Sequence, residues 1–308
     1  MLLSTAESLN RPEVARWHDR ILNRYTPPPG IKLSVLLPCS ARKPYSKSKS
    51  HILFRKYIKR GAGSKLHLVH EVILTSPLGL VPRELENLYP AAHYDVPVTG
   101  HWSGEEKEIA INLLSSYMKK AEAPALAHVE GAYREICGSL SIPMTAGGLN
   151  KSTLEELQRK IYDALKDCQP VKVNRRLENL RRACDFQFGL GAGNILIPEE
   201  TAIKGYQLFL KGEQIAAIKP GDGFLALASA GGRLLKDYGR YWVEISFKPD
   251  TNSIFSVGVD KADKRIRPND EVVVLYNGDV VGVGKALLNG EEMTRAEKGL
   301  AVELRHRL

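Results

Sequence analysis

The segment at residues 38–51, PCSARKPYSKSKSH, places a cysteine among basic and hydroxyl side chains. Arg42 and Lys43 follow Cys39 closely, and positive charge near a thiol favours its nucleophilic thiolate form. Lys43 could also hold a phosphate or a carboxylate. The remaining side chains of this segment that could act as acids, bases or hydrogen-bond donors are Tyr45, Ser48 and His51. The segment therefore predicts covalent chemistry with Cys39 as nucleophile.

Asp95 and His101, which lie later in the chain, complete the set of candidate acids, bases and orienting groups. Each candidate also has a purely structural interpretation. A free cysteine such as Cys39 is most often a small buried hydrophobic residue. His51 opens a predicted helix and could be part of a helix cap and nothing more.

Positive charge is concentrated in the same region. Residues 32–65 contain ten Lys or Arg and no Asp or Glu, whereas the whole chain has a net charge of +9. Such concentration predicts a polyanionic partner, and a solvated surface that binds nothing is the alternative. The residues of this region that we expect to contact RNA are Lys47, Lys49, Arg55 and Arg60.

The elements that position these residues alternate between strand and helix. Short apolar segments at 33–37, 72–75, 94–98 and 125–129 predict strands, and residues 52–59 and 105–120 predict helices, the second with Ser103 as N-cap. This order predicts an α/β domain with a flavodoxin-like (uracil-DNA-glycosylase-like) parallel sheet and helices on both faces. Ligands bind beyond the carboxyl ends of such strands, which is where the 38–51 segment begins.

The second half of the chain changes character. Residues 153–166 and 174–184 predict amphipathic helices, and a three-strand meander follows at 206–210, 214–218 and 224–229. The chain beyond about residue 240 reads as β-structure, including a hairpin around Asn277-Gly278. We therefore predict three domains: an α/β domain at 1–147, a small α+β spacer domain at 148–239, and an all-β domain at 240–308.

The last segment resembles the PUA domain, an RNA-binding β-barrel. The resemblance is carried by Gly258, by the IRPNDEVVV stretch, by the GVGKAL strand with Gly282 and Gly284, and by a closing strand after Lys298-Gly299. The glycines could let an RNA backbone approach closely, or could serve only the bends of the barrel. Three basic residues could meet phosphates, or could serve only solubility: Lys285, Arg305 and Arg307.

The 38–51 segment fits the pattern PCxxxKPYxxSxxH and resembles the archaeosine synthases, archaeal enzymes that act on tRNA. The resemblance extends through TSPLGLVPRELE at 75–86, YPAAHYDVPVTGHW at 89–102, the meander and the PUA tail. It implies addition of the side-chain amine of lysine to the nitrile of 7-cyano-7-deazaguanine in the D-loop of tRNA. Family members begin with a further transglycosylase-like domain, for which this chain has no room.

The residues suit that chemistry. Attack on a nitrile requires a neutral amine, a group that protonates the nitrile nitrogen, and in some mechanisms a thiolate that holds the carbon covalently. Cys39 fits the last role, and His51, His101 or Asp95 could serve as acid or base. The sequence contains no GxxxxGK[ST] loop for a nucleotide, so we expect no cofactor and no ATP.

Other features narrow the function further. The four cysteines form no CxxC pair, so no metal site is expected. No apolar stretch approaches the roughly 18 residues that a membrane helix requires, and no secretory signal is present, so the expected location is the cytoplasm with no membrane association. Expected partners are tRNA and a transglycosylase-like or radical-SAM protein. Two alternatives stay open: a non-catalytic RNA-binding subunit, and a base glycosylase with Asp95 as general base.

Overall fold

The computed structural model describes residues 2–3, 6–95 and 102–308, with the backbone alone at 2, 3, 6, 94 and 95. The chain forms two compact units that divide between Phe186 and Gln187. No helix of the described residues is long and apolar enough to cross a membrane. Each unit is described by itself.

The elements of the first unit are β1 (Leu2–Leu3), α1 (Pro12–Asn23), β2 (Leu33–Pro38), α2 (Lys49–Ala62), β3 (Val69–Thr75), β4 (Gly79–Pro82), β5 (Tyr94–Asp95), α3 (Gly104–Ala121), β6 (Ala125–Ala127), α4 (Ala132–Ser139), α5 (Lys151–Leu165) and α6 (Arg175–Phe188). The central sheet has the order β4-β3-β2-β6. Strand β2 pairs in parallel with β3 and β6, whereas β4 returns antiparallel to β3. The parallel core of the prediction is confirmed.

The two faces of this sheet differ in what covers them. Val35 and Leu37 on β2 pack into an apolar cluster with α2 and α5. Ser34, on the opposite face, bonds to Tyr117 of α3 at 2.8 Å. Side chains of a strand alternate between faces, so helices lie on both sides of the sheet, as expected. The finer flavodoxin-like topology stays a prediction.

Two predicted features of this sheet differ from the structure. The described part of the strand predicted at 94–98 is β5, which pairs with β1 in a separate two-stranded sheet. The fourth strand of the central sheet is instead β4, within a segment whose glycine and prolines read as a loop. Pro82 is tolerated there because β4 is an edge strand, and Gly79 allows the side chain of Leu113 to lie 2.6 Å from where a Cβ would stand.

The elements of the second unit are α7 (Ala192–Leu196), β7 (Ala202–Lys204), β8 (Gln207–Leu210), β9 (Glu213–Ile218), β10 (Leu225–Leu227), α8 (Ser229–Tyr238), β11 (Trp242–Ile245), β12 (Ser253–Phe255), β13 (Val259–Ala262), β14 (Glu271–Tyr276), β15 (Asp279–Ala286), α9 (Gly290–Arg295) and β16 (Leu300–Arg307). The predicted meander is confirmed as the antiparallel sheet β10-β9-β8-β7. The PUA segment forms a six-stranded sheet of order β12-β16-β15-β14-β11-β13.

The meander and the six-stranded sheet are joined inside this unit. Glu271, at the start of β14, accepts the backbone N–H of Leu227 of β10 at 2.8 Å. In the first unit, α5, which falls in the predicted domain at 148–239, packs against α2 of the predicted domain at 1–147. The three-domain division at 1–147, 148–239 and 240–308 stays a prediction.

Candidate active site

Cys39 follows the carboxyl end of β2, where ligands of parallel sheets bind. Its side chain is partly exposed, and its Sγ lies 3.0 Å from the Oη of Tyr133 on α4. The ring of Tyr133 in turn meets the ring of Trp102 edge to face, with centroids 5.2 Å apart. The sequence did not single out Tyr133, because only the fold brings α4 to the end of β2.

Lys43 and Tyr45 lie in the loop between Cys39 and α2. The Nζ of Lys43 donates to the carbonyl oxygen of Ser40 at 2.6 Å and lies 5.0 Å from the centre of the Tyr45 ring. Tyr45 is fully buried, with its ring 5.5 Å from that of His51. The ammonium group of Lys43 therefore lies against the carbonyl of Ser40, the residue after Cys39, and over the buried ring of Tyr45.

Ser48 and His51 form the start of α2. Ser48 is the N-cap and accepts the backbone N–H of His51 at 3.2 Å. The Nδ1 of His51 accepts from Arg83 at 2.9 Å, because a guanidinium can only donate. The Nε2 of His51 therefore carries the proton and donates to the carbonyl of Pro38 at 3.0 Å. The structure brings both the cap and the ring into the site, next to the residue that precedes Cys39.

Burial and the positive charge of Arg83 lower the pKa of His51 to about 3. The imidazole is therefore neutral at physiological pH. Both of its ring nitrogens are engaged with protein groups, which describes a ring held in place.

Arg83 is a functional candidate that the sequence analysis missed. Its guanidinium donates to Glu71 at 2.6 and 3.0 Å and to Glu86 at 2.9 Å, in addition to His51. Glu86 also accepts the backbone N–H of Ser46 at 2.9 Å. This cluster, Arg83 with Glu71, Glu86 and His51, ties the 38–51 segment to β3. Charged residues in the TSPLGLVPRELE stretch were the only sequence signal for it.

The carboxyl ends of the other two parallel strands also carry polar groups. After β3, the Oγ of Ser76 donates to Glu106, which accepts the backbone N–H of Ser103 at 2.7 Å. Ser103 is the predicted N-cap of α3, and it forms a capping box with Glu106. The start of α3 is thereby fixed at the same edge of the sheet as Cys39.

His128 follows β6 and is fully buried. Its Nε2 donates to the carbonyl of Gly148 at 2.8 Å, so its Nδ1 accepts from the hydroxyl of Thr145 at 2.7 Å. Desolvation lowers its pKa. His128 is thus a second neutral histidine whose two ring nitrogens are both engaged with the protein.

Two predicted site residues cannot be placed in this geometry. His101 lies outside the described residues. Of Asp95 the structure describes the backbone alone, in β5 of the separate two-stranded sheet.

The basic residues predicted to contact RNA fall into two groups. Lys47, Lys49, Arg55 and Arg60 have exposed side chains on or next to α2. Arg55 also pairs with Glu71 at 3.3 Å, and Arg60 lies over the ring of Tyr57. We call this group the α2 basic surface.

The predicted basic residues of the PUA sheet are partly engaged within the chain. Arg305 pairs with the buried Glu271, with one contact at 3.1 Å. Lys285 pairs with Glu303 at 3.3 Å while staying exposed over 39% of its side chain. Arg307 donates to the backbone carbonyl of Asp250 and is exposed. Arg305 therefore stabilises the unit, and Lys285 and Arg307 keep surface that a phosphate could reach.

The PUA glycines allow close contacts within the chain. A Cβ on Gly284 would stand 2.2 Å from the backbone oxygen of Glu303, and one on Gly282 would stand 2.9 Å from that of His306. The pairing of β15 with β16 also shifts register at Gly284. The Cβ position of Gly258 is filled by the ring of Phe247. These glycines allow tight strand packing and a bulge.

Two of the arginines of α6 are engaged in ion pairs within the first unit. Arg181 pairs with Glu178 at 2.6 Å, and Arg182 pairs with Asp185 at 3.1 Å. Both arginine side chains are 11% exposed, so they hold the first unit together. A similar buried pair joins His70 to Glu84 at 2.9 Å. Within the described ranges, no group of three His, Cys, Asp or Glu could hold a metal ion.

Three family models match the chain. A domain of unknown function (DUF5591) covers residues 14–161, the patch-forming domain C2 of tRNA-guanine transglycosylase covers 178–241, and the PUA domain covers 248–308. The predicted PUA domain is confirmed. The fold and the C-terminal match define the chain as a PUA-domain protein with an N-terminal α/β unit.

Relatives and one solved structure match almost the whole chain. The archaeosine synthase subunit alpha of Thermococcus kodakarensis is 42% identical over 98% of this chain and 55% of that protein. The archaeosine synthase of Methanocaldococcus jannaschii is 38% identical over 97% of this chain and 53% of that protein. The crystal structure of AF0587, a protein of unknown function, is 28% identical and covers 95% of this chain and 99% of that chain, with a TM-score of 0.73.

The chain is therefore similar to the archaeosine synthases over nearly its whole length, and it spans about half the length of the curated relatives it matches. This confirms the resemblance that the 38–51 segment carried.

Proposed function

We propose that this protein modifies tRNA on the route to archaeosine by joining the side-chain amine of lysine to the nitrile of 7-cyano-7-deazaguanine. The observation that carries the proposal is the place of Cys39, at the carboxyl end of a parallel strand in a chain 42% identical to an archaeosine synthase subunit. Lys43, Tyr45, Ser48 and His51 lie in the same segment of the chain as Cys39.

The proposed reaction has two covalent steps. The Cys39 sulfur supplies an electron pair for a C–S bond to the nitrile carbon. One π bond of the nitrile breaks, and its electron pair moves to the nitrogen, which takes a proton. The neutral amine of lysine then forms a C–N bond to the same carbon, the C–S bond breaks, and Cys39 regains a proton as the amidine forms. No group is oxidised or reduced in either step.

The motif residues differ in their proposed roles. Lys43 lies in the loop that follows Cys39, where its ammonium group could hold a phosphate of the RNA or the carboxylate of lysine. Tyr45 supports Lys43, and Ser48 fixes the start of α2. His51 orients the backbone carbonyl of Pro38, next to Cys39. Asp95 and His101 stay candidates for acid and base.

The tRNA would be bound by two surfaces. The α2 basic surface supplies Lys47, Lys49, Arg55 and Arg60, and the PUA sheet supplies Lys285 and Arg307. Exposed cations of this kind bind phosphates and release counterions. A tRNA substrate implies a cytoplasmic location. No phosphate-binding GxxxxGK[ST] loop occurs in the sequence, so we propose that the reaction needs no ATP.

A second candidate function is that of an RNA-binding subunit without catalytic activity of its own. It is favoured by the match to the PUA domain and by the name of the Thermococcus kodakarensis relative as a subunit. The partner would be a transglycosylase-like or a radical-SAM protein.

Mass spectrometry of tRNA nucleosides separates the two functions. Nitrile-bearing tRNA is incubated with lysine and the purified protein, with and without a transglycosylase-like partner. The lysine adduct of the base supports the first function. Its absence in both reactions, together with intact tRNA binding, supports the RNA-binding subunit.

A further inference from the structure

The thiol of Cys39 has a defined polar neighbour in Tyr133. The Sγ and Oη atoms are 3.0 Å apart, and either can be the donor. Tyr133 is 7% exposed, and α4 is anchored beside it by the fully buried Ile136 and Cys137. The edge-to-face contact with Trp102 further orients its ring. The hydroxyl is thus held against the sulfur by packing on several sides.

The two buried histidines at this edge of the sheet are poorly placed to carry a proton. His51 donates to Pro38 and accepts from Arg83, and His128 donates to Gly148 and accepts from Thr145. Either ring must give up a hydrogen bond inside the protein before it can exchange a proton with a substrate. The hydroxyl of Tyr133 already contacts the sulfur that would react.

We propose that Tyr133 is a catalytic residue whose hydroxyl relays the proton between Cys39 and the nitrile nitrogen. This inference rests on the proposed function. As the C–S bond forms, the thiol proton passes to the Oη of Tyr133 while the Tyr133 proton passes to the nitrile nitrogen. The tyrosine is unchanged at the end of the step, and no charge is left on the sulfur or the nitrogen.

The second covalent step uses the same path. When lysine displaces the sulfur, Tyr133 donates to the departing thiolate and takes a proton from the attacking nitrogen. The relay is again neutral overall. A hydroxyl that donates to the thiolate favours that form, so loss of the Tyr133 hydroxyl should slow the reactions of the Cys39 thiolate.

The test compares Tyr133→Phe with wild type in two assays. In the first, the rate of Cys39 alkylation by iodoacetamide is measured against pH by peptide mass spectrometry, with Tyr162→Phe on the exposed face of α5 as control. Removal of a hydrogen bond to a charged sulfur should move the alkylation midpoint up by about one to two pH units. In the second, single-turnover addition of lysine should slow about a hundredfold or more, with tRNA affinity unchanged.

A second variant guards against a folding defect. Incorporation of 3-fluorotyrosine at position 133 keeps the hydroxyl but makes it a stronger donor, so the midpoint should move down. Unshifted midpoints in both variants would overturn the assignment of Tyr133. The failure of wild type to add lysine would instead overturn the proposed function. The midpoints are measured without lysine addition, so the two failures are distinguishable.

Discussion

His51 is held between two hydrogen bonds in which its two nitrogens have opposite roles. One nitrogen donates to the carbonyl of Pro38 and the other accepts from Arg83. The neutral form is required for this arrangement, because a protonated ring could not accept from a guanidinium. The folded protein therefore resists protonation of a group that the unfolded chain protonates near its ordinary pKa.

This preference predicts a pH-dependent contribution to stability. The pKa of His51 is lowered from 6.5 to about 3, so the unfolded state binds the proton first as the pH falls. The contribution of neutral His51 to the free energy of unfolding is complete above pH 6.5. It is lost as the pH falls towards 3, at up to about 1.4 kcal/mol per pH unit. The difference in the free energy of unfolding between wild type and His51→Gln should shrink by about 2 kcal/mol from about pH 7 to about pH 5.

Urea unfolding at the two pH values measures this difference. His306→Gln, at an exposed position of the second unit, serves as the control and should show no comparable trend. A wild-type-to-His51→Gln difference that is the same at both pH values would contradict the neutral, doubly bonded ring.

The four cysteines predict an order of reactivity. Burial raises the pKa of Cys137 to about 12 and also raises that of Cys184, so both thiols should react slowly. Cys39 and Cys168 are partly exposed. Because Cys39 lies near Lys43 and Tyr133, iodoacetamide should label it first near neutral pH, as followed by peptide mass spectrometry. Labelling of Cys168 as fast as Cys39 would show that the site does not activate its thiol.

At the scale of elements, Arg83, which directly follows β4, joins the 38–51 loop to Glu71 of β3 and to Glu86. Its partners Glu71 and Glu86 have side chains that are 11% and 5% exposed. Removal of the guanidinium leaves the largely buried Glu86 without this arginine, and it leaves Glu71 with only the half-exposed Arg55 as its cation. This costs more than the removal of a surface pair. The cluster is therefore a structural requirement of the site.

Arg83→Met should lower the free energy of unfolding by about 3–5 kcal/mol. Arg83→Lys should restore little, because an ammonium cannot reproduce the fork that meets Glu71, Glu86 and His51. Arg60→Met on the exposed side of α2 is the matched control and should change stability by about 0.5 kcal/mol or less. Equal urea midpoints for Arg83→Met and Arg60→Met would refute a structural role for the Arg83 cluster.

The α2 basic surface makes its own prediction. Lys49→Gln combined with Arg60→Gln should weaken tRNA binding and reduce the slope of log affinity against log salt by about 1 for each phosphate that the variant no longer binds. The control is Lys119→Gln, an exposed change on α3 at the opposite face of the central sheet. Binding measured over a range of salt concentrations should give a shallower slope for the double variant than for Lys119→Gln. Identical slopes would exclude the α2 basic surface from tRNA binding.

Local signals predicted the elements that depend on local chemistry. Ser103 caps α3, and Asn277-Gly278 turns β14 into β15 with both residues at positive φ. Helix α8 escaped prediction because Gly231 and Gly232 read as breakers. The fold places the carbonyl of Ile215 and the side chain of Val283 where their Cβ atoms would stand. Such close approaches between distant segments leave no local pattern.

The same distinction applies to the candidate site. The motif residues Cys39 to His51 were recognisable, because they are contiguous in sequence. Tyr133 and Arg83 were not, since each reaches the site from a different element. Sequence type also could not reveal that Arg305 faces the buried Glu271.

At the scale of the whole molecule, two folded units carry complementary tasks in the proposal. The first unit presents Cys39 at a sheet edge, and the second contains the PUA sheet with Lys285 and Arg307 at its surface. Deletion from residue 240 onward would remove Glu271 from β10 and disturb the meander. Substitution tests the PUA surface more cleanly: Lys285→Gln with Arg307→Gln should weaken tRNA binding without unfolding the unit, as judged by filter binding and circular dichroism.

The central claim is that Cys39 joins lysine to a nitrile-bearing tRNA. The most direct measurement is single-turnover incorporation of labelled lysine by wild type, Cys39→Ala and the matched control Cys168→Ala, with tRNA affinity measured for each. We predict incorporation by wild type and Cys168→Ala, none by Cys39→Ala, and similar affinities for all three. Incorporation by Cys39→Ala at the wild-type rate would contradict the account.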